Sequence, residues 1–399
     1  MGATVSLHRL TMVAEDDGVM VGRPDTGSYA VFPEEGAQAL RMFADGAPAE
    51  EVTAWFERTY GSPLDLDDFL ETLTDLGFLR TDDADDVPAE QPRVRWQRLG
   101  RAVFSWPAFC AYGALVGATV AAMVRDPGLR PTYHHVFFTH YVSLIPIIVF
   151  AVAIPCIVLH EAFHALAGRR LGLPSTLGLG RRLYYLVAET RLDSLLSVER
   201  RKRYLPFCAG ILADVILLCG LTLLSAALDG PGIPSWIHKL CLAVAFTCVL
   251  RLIWQFLFYL ETDIYYVLTT ATRCTDLQNA TRFRLRTGLR KLLRLKPPVP
   301  DTEWSPRDHA VARWYAPLLV AGYGFSLASL LWAGLPTALH FWSTITDRLG
   351  GGSATPVWDL VDAAGFIALS GLQIGLLVHV TLRDRRARSR TTAPQGALT

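Results

Sequence analysis

The chain has 399 residues, of which 51% are hydrophobic and 19% charged, and its mean hydropathy is +0.28. That balance excludes an ordinary soluble protein and implies membrane spans joined to a soluble part. The net charge of +1 hides an asymmetry: residues 1–90 hold 20 Asp and Glu against 5 Lys and Arg, so the remainder is strongly basic. Two regions of opposite sign predict two domains in different surroundings.

The seven cysteines (Cys110, Cys156, Cys208, Cys219, Cys241, Cys248 and Cys274) form no Cys-x-x-Cys pair. Neither a disulfide framework nor a cysteine zinc site is expected. The segment Met1 to Leu10 has no apolar core preceded by basic residues, so no cleavable signal peptide is expected.

Residues 1–80 read as a small α+β domain. Val19-Met20-Val21 and Tyr29-Ala30-Val31-Phe32 flank the turn-rich Arg23-Pro24-Asp25-Thr26-Gly27, as in a hairpin. Helical spacing follows over Glu34–Ala44, Ala49–Tyr60 and Leu66–Leu76, each run closed by a glycine (Gly46, Gly61 and Gly77). Strands followed by three helices give a winged-helix-like arrangement. Nucleic acid is excluded as a partner, because a domain this acidic is repelled by phosphate, whose attraction supplies most nucleic-acid affinity. Residues 81–92 are acidic, contain proline and lack apolar periodicity, which marks a linker.

From Arg93 six apolar runs are long enough to cross a bilayer: roughly 102–124, 142–167, 204–228, 237–266, 315–342 and 357–382. The expected architecture is mainly α, a six-helix transmembrane bundle over 93–390, ending in a disordered tail at 391–399. The connecting segments alternate in charge. Residues 93–101, 168–203, 261–307 and 383–399 hold 27 Lys and Arg, whereas 125–140, 228–239 and 341–356 hold 4. Both termini are therefore expected in the cytoplasm of a multi-pass cell-membrane protein. His134, His135 and His140, in a short aromatic loop, read as interfacial, as do Asp359, Asp362 and His379 of the sixth run.

The second run ends in Val158-Leu159-His160-Glu161-Ala162-Phe163-His164. On a helix, His160 and His164 share one face, where two neutral imidazoles can hold a zinc ion, and Glu161 stands ready to take a proton from the attacking water. Ionisable side chains in an apolar span are costly and mark function. A hydrolytic zinc site needs a third protein ligand. Asp263, at the end of the fourth run, and Asp214, ten residues into the third, both lie at a suitable depth. Arg251 is placed to neutralise Asp214.

Three motifs in these runs resemble the site-2 protease family of intramembrane zinc metallopeptidases. They are His160-Glu161-x-x-His164; Ala209-Gly210-Ile211-Leu212-Ala213-Asp214, where the family often has Ala-Gly-Pro-x-x-Asn; and Asp263-Ile264-Tyr265-Tyr266, where peptide-processing members have Asp-Gly-Tyr-Tyr. The resemblance implies Asp263 as the third zinc ligand and Asp214 as a polar substrate-binding position. Ile264 in place of glycine and Asp214 in place of an amide depart from the family's pattern. The Gly27–Val31 strand, the Glu51–Phe56 helix and the closing Phe69–Leu73 to Gly77-Phe78-Leu79 resemble PqqD-like peptide-recognition domains. That resemblance implies a peptide added as a strand at the hairpin edge, and the acidic surface favours a basic one. The segment Gly172 to Thr190 offers a second strand edge that would hold a substrate extended.

Together these readings describe a membrane zinc endopeptidase that binds a precursor or leader peptide and matures a ribosomally made peptide. Two alternatives stand beside it: a regulatory intramembrane protease acting on a membrane protein such as an anti-sigma factor, and a non-catalytic scaffold or export partner.

Overall fold

A computed structural model describes residues 5–15, 18–24, 26–80, 94–182, 185–192, 194–274, 276–296, 298, 304–329, 331, 335–350 and 356–391, without the side chains of 179–189, 329, 336, 337, 340, 377, 380, 381 and 384–391. The expected linker 81–92 lies outside the described residues, as does the expected tail beyond Thr391. The fold is mainly helical with a small N-terminal sheet. Two compact units divide it: Met1–Ser105 with Ala162–Gly178 and Thr190–Ala209, and Trp106–Glu161 with Leu179–Glu189 and Gly210–Thr399.

The N-terminal part opens with β1 (Thr11–Glu15), β2 (Gly18–Arg23) and β3 (Ser28–Phe32), an antiparallel sheet in the order β1-β2-β3. The β2–β3 hairpin is the expected one. The first strand went unrecognised because most of its residues are half-buried and show no clean alternation. Helices α1 (Glu34–Ala44), α2 (Ala49–Tyr60) and α3 (Leu66–Asp75) follow, within a residue of expectation. Val19, Val21, Phe32, Ala37, Leu40, Leu73 and Phe78 form the core between sheet and helices. Asp65 caps α3 by accepting from the Asp68 amide at 3.2 Å. Gly61 ends α2 with φ +71°, a left-handed stop that a side chain would strain. Ser28 Oγ and the Arg23 guanidinium donate to the Leu76 and Gly77 carbonyls at 2.9 and 2.8 Å, tying the hairpin to the end of α3.

Beyond it come α4 (Gln97–Val103), α5 (Trp106–Arg125), α6 (Leu144–Arg170), the paired strands β4 (Thr176–Arg182) and β5 (Tyr185–Arg191), α7 (Arg200–Leu228) and α8 (Ser235–Trp254). The chain closes with α9 (Asp263–Thr272), α10 (Leu277–Leu292), α11 (Pro306–Ser329), α12 (Leu335–Gly350) and α13 (Val357–Thr391). Among the described residues five helices are long and apolar enough to cross a membrane: α5, α6, α7, α8 and residues 357–376 of α13. The chain is therefore compatible with multi-pass membrane insertion.

The described residues of the fifth run, 315–342, fall mainly in α11 and α12. One run expected as a single span is divided. The fourth, 237–266, stops at Trp254; a single 3-10 turn at Phe258–Leu260 and a left-handed Glu261 (φ +54°) separate it from α9. Hydropathy cannot show that break, because Phe256 to Leu260 is apolar and contains neither glycine nor proline. The Thr262 hydroxyl holds it by donating to the Gln255 carbonyl at 2.6 Å.

Within the second unit, Asp362 of α13 is 5% exposed and accepts from the Val142 and Ser143 amides at 2.7 and 2.9 Å, from the Ser143 hydroxyl and from Arg348. Asp362 is a buried anchor between α13 and the entry to α6. Asp359 instead pairs with the exposed His140 at 3.1 Å.

Candidate metal centre

Helix α6 carries His160, Glu161 and His164 on consecutive turns, with one donor atom from each within 4.8 Å of the others. Glu161 and His164 are both buried, each 8% exposed. The four-residue spacing of the histidines gives this convergence directly, since such positions stack on one helix face.

The surroundings engage one nitrogen of each ring. His164 Nδ1 lies 2.7 Å from the Pro206 carbonyl. A carbonyl only accepts, so Nδ1 is the donor and carries a proton. His160 Nδ1 lies 3.0 Å from Asp214 Oδ2, and a carboxylate likewise accepts. Both rings are thus oriented through Nδ1 by an acceptor, the arrangement that metal-binding histidines use.

Asp263, the first residue of α9, faces His160 from the other side, with Oδ2 at 3.3 Å from Nε2. An imidazole lone pair and a carboxylate at that distance repel unless a positive charge lies between them, either a proton on Nε2 or a cation. Two ligands on a tetrahedral zinc, each at ~2.0–2.1 Å, stand about 3.3–3.4 Å apart. The nitrogen and oxygen donors and the spacing of this one pair are compatible with zinc, whereas the donors that converge within 4.8 Å are those of His160, Glu161 and His164.

Asp214 belongs to a different layer. It is fully buried, and its Oδ1 accepts from Arg251 Nε and a terminal guanidinium nitrogen at 2.9 and 2.7 Å. With one oxygen on Arg251 and the other on His160 Nδ1, it orients a histidine. The expected neutralisation by Arg251 is present.

Gln255 escaped the sequence reading. Its Nε2 donates to Asp263 Oδ2 at 3.0 Å and its Oε1 accepts from the Asp263 amide at 3.0 Å. The glutamine is 7% exposed and closes the turn that presents Asp263. A lone glutamine in an apolar run carries no motif, so only its place eight residues before Asp263 hinted at it. Tyr265 then packs with Leu277, Val311, Tyr315 and Leu319, and its hydroxyl accepts from the Gln278 amide at 3.2 Å, which fixes the first turn of α9.

Comparisons with family models, with curated proteins and with solved structures each gave no match.

Proposed function

We propose that the chain is a membrane zinc endopeptidase whose centre is His160, His164 and Asp263, with Glu161 as the catalytic base. The observation that carries this reading is the 3.3 Å approach of Asp263 Oδ2 to His160 Nε2, on a ring whose other nitrogen is already held by Asp214. His160 and His164 would hold zinc through Nε2 and Asp263 through Oδ2. Bound there, zinc supplies Lewis-acid activation of the attacking water and of the scissile carbonyl.

The chain's own residues do the rest. Glu161 takes the proton of the attacking water and delivers it to the leaving amine. Asp214 keeps the His160 ring in one tautomer, and Arg251 balances the charge of that carboxylate. The Pro206 carbonyl does the same for His164 without adding charge. Gln255 fixes which Asp263 oxygen faces the histidines.

The N-terminal sheet supplies a docking edge. Strand β3 pairs with β2 alone in its sheet, and Val31 on it is 45% exposed. An extended peptide can add there, and the acidic domain favours a basic leader. The substrate in this reading is a precursor peptide, cleaved during maturation of a ribosomally made peptide, on a cell membrane with both termini cytoplasmic.

The decisive test is Glu161→Gln in the full-length protein. Zinc content should stay at wild-type level while peptide cleavage falls about 10²–10⁴-fold, the range for loss of a general acid–base. Undiminished processing would make the chain a scaffold.

A further inference from the structure

A second charged feature lies in the first unit, independent of the catalytic reading. Three helix ends meet around a cavity of about 470 Å³ lined by Arg101 of α4, Arg170 and Leu171 at the end of α6, and Arg201, Lys202 and Leu205 in the first turns of α7. Four cations and two leucines form its wall.

The backbone brings these charges together at close range. A Cβ on Gly100 would stand 2.5 Å from the Leu166 carbonyl and 3.2 Å from the Arg170 amide. Glycine therefore lets α4 lie directly on the last turn of α6, which sets Arg101 beside Arg170. Phe104 and Phe163 reinforce the contact, with ring centroids 5.9 Å apart at 84°.

Neighbouring cations are already engaged. Arg200 and Arg203 pair with Glu15 of β1, the Arg203 contact at 2.7 Å. Arg169 donates to Ser175 Oγ at 2.9 Å. Lys202 has Glu199 at 3.3 Å, a surface pair. Among the described residues, no carboxylate pairs with Arg101, Arg170 or Arg201. Glu15 thus removes two cations from the cluster, and the three unneutralised arginines all line the cavity.

Helices α6 and α7 are both candidate membrane spans, and the cavity sits at the ends where Arg170 and Arg201 close and open them. A site there meets the headgroup layer. Its ligand must be anionic to match three arginines, and it must carry apolar atoms beside the charge to cover Leu171 and Leu205. A phosphodiester attached to a glycerol and acyl chains satisfies both demands, and arginine forks suit phosphate oxygens. We propose that this cavity binds the phosphodiester headgroup of an anionic phospholipid.

The test uses the full-length protein, stripped of lipid in neutral detergent. It is titrated with phosphatidylglycerol and with phosphatidylcholine, and with inorganic phosphate as competitor, while bound lipid is counted by native mass spectrometry. Phosphatidylglycerol should bind at least about tenfold more tightly than phosphatidylcholine, and millimolar phosphate should leave it bound. Arg170→Gln combined with Arg201→Gln should erase most of that preference, whereas the Lys pair at the same positions should keep it. Arg101→Gln alone, at an exposed position, should lower the preference several-fold and serves if the double variant misfolds. Arg284→Gln with Arg286→Gln, on the exposed side of α10, should leave it unchanged. Equal affinity for the two lipids, or a preference that survives removal of the cavity arginines, overturns the proposal. Displacement by inorganic phosphate overturns it in favour of a free-anion site.

Discussion

Asp214 and Asp263 both approach His160, but they meet different nitrogens, and that difference predicts different consequences. Asp263→Ala removes the carboxylate that faces His160 Nε2 and, under the proposed function, should abolish stoichiometric zinc, read by elemental analysis of the purified protein. Asp214→Ala removes the group that orients the ring, and zinc affinity should fall about 10–100-fold, the usual loss for an outer-shell partner. It also leaves Arg251 partly buried and unpaired, so stability should drop by about 3 kcal/mol in thermal or denaturant unfolding. Equal zinc loss in both variants without that extra destabilisation would make Asp214 a ligand. Gln255→Leu keeps the volume but cuts both bonds to Asp263. Zinc affinity measured by chelator competition should again fall about 10–100-fold, with the fold intact.

Between elements, one contact lies at each end of α6. Asp362 gathers two amides, a hydroxyl and Arg348 at the point where the chain enters that helix. Asp362→Ala strands Arg348 and the two amides, and should cost about 3–5 kcal/mol in unfolding experiments. At the other end, Gly100→Ala drives a Cβ against the backbone oxygen of Leu166, which cannot rotate away. The resulting displacement of α4 should lower stability by about 1–3 kcal/mol and weaken the phosphatidylglycerol preference along with it. The division of the fourth run belongs to this scale too. A continuous span would carry Asp263 on the axis of α8; the break at Gln255–Thr262 instead starts a new helix at Asp263 and turns its carboxylate to His160.

For the whole molecule, the parity of membrane crossings is the open variable that the charge map addresses. Among the described residues five helices meet the length and hydropathy of a span, whereas the alternation of basic segments predicts six crossings and both termini on one side. Reporter fusions at the two ends should both read as cytoplasmic. A C-terminal reporter outside the cell would mean that the α11–α12 region does not cross. If both reporters read as cytoplasmic, the acidic N-terminal domain shares that side with the basic ends of α6 and α7.

Much of this protein was legible in its sequence because the signals were local. The HExxH spacing, the glycine stops after α1, α2 and α3, and the alternating apolar runs each depend on residues a few positions apart. Periodicity and turn chemistry report such spacings directly. The roles of Asp214 and Asp263 were not legible, since both lie at matching depth and both are carboxylates. Only the fold shows that one meets Nδ1 and the other Nε2 of the same ring. Gln255, Asp362 and the cavity at Arg101, Arg170 and Arg201 share that reason. Each is made by groups distant along the chain or by a backbone break that no residue type announces. Local chemistry named the His-Glu-x-x-His motif, and tertiary contacts decided which partners stand around it, because a hydrogen-bond direction exists only once two elements have been placed face to face.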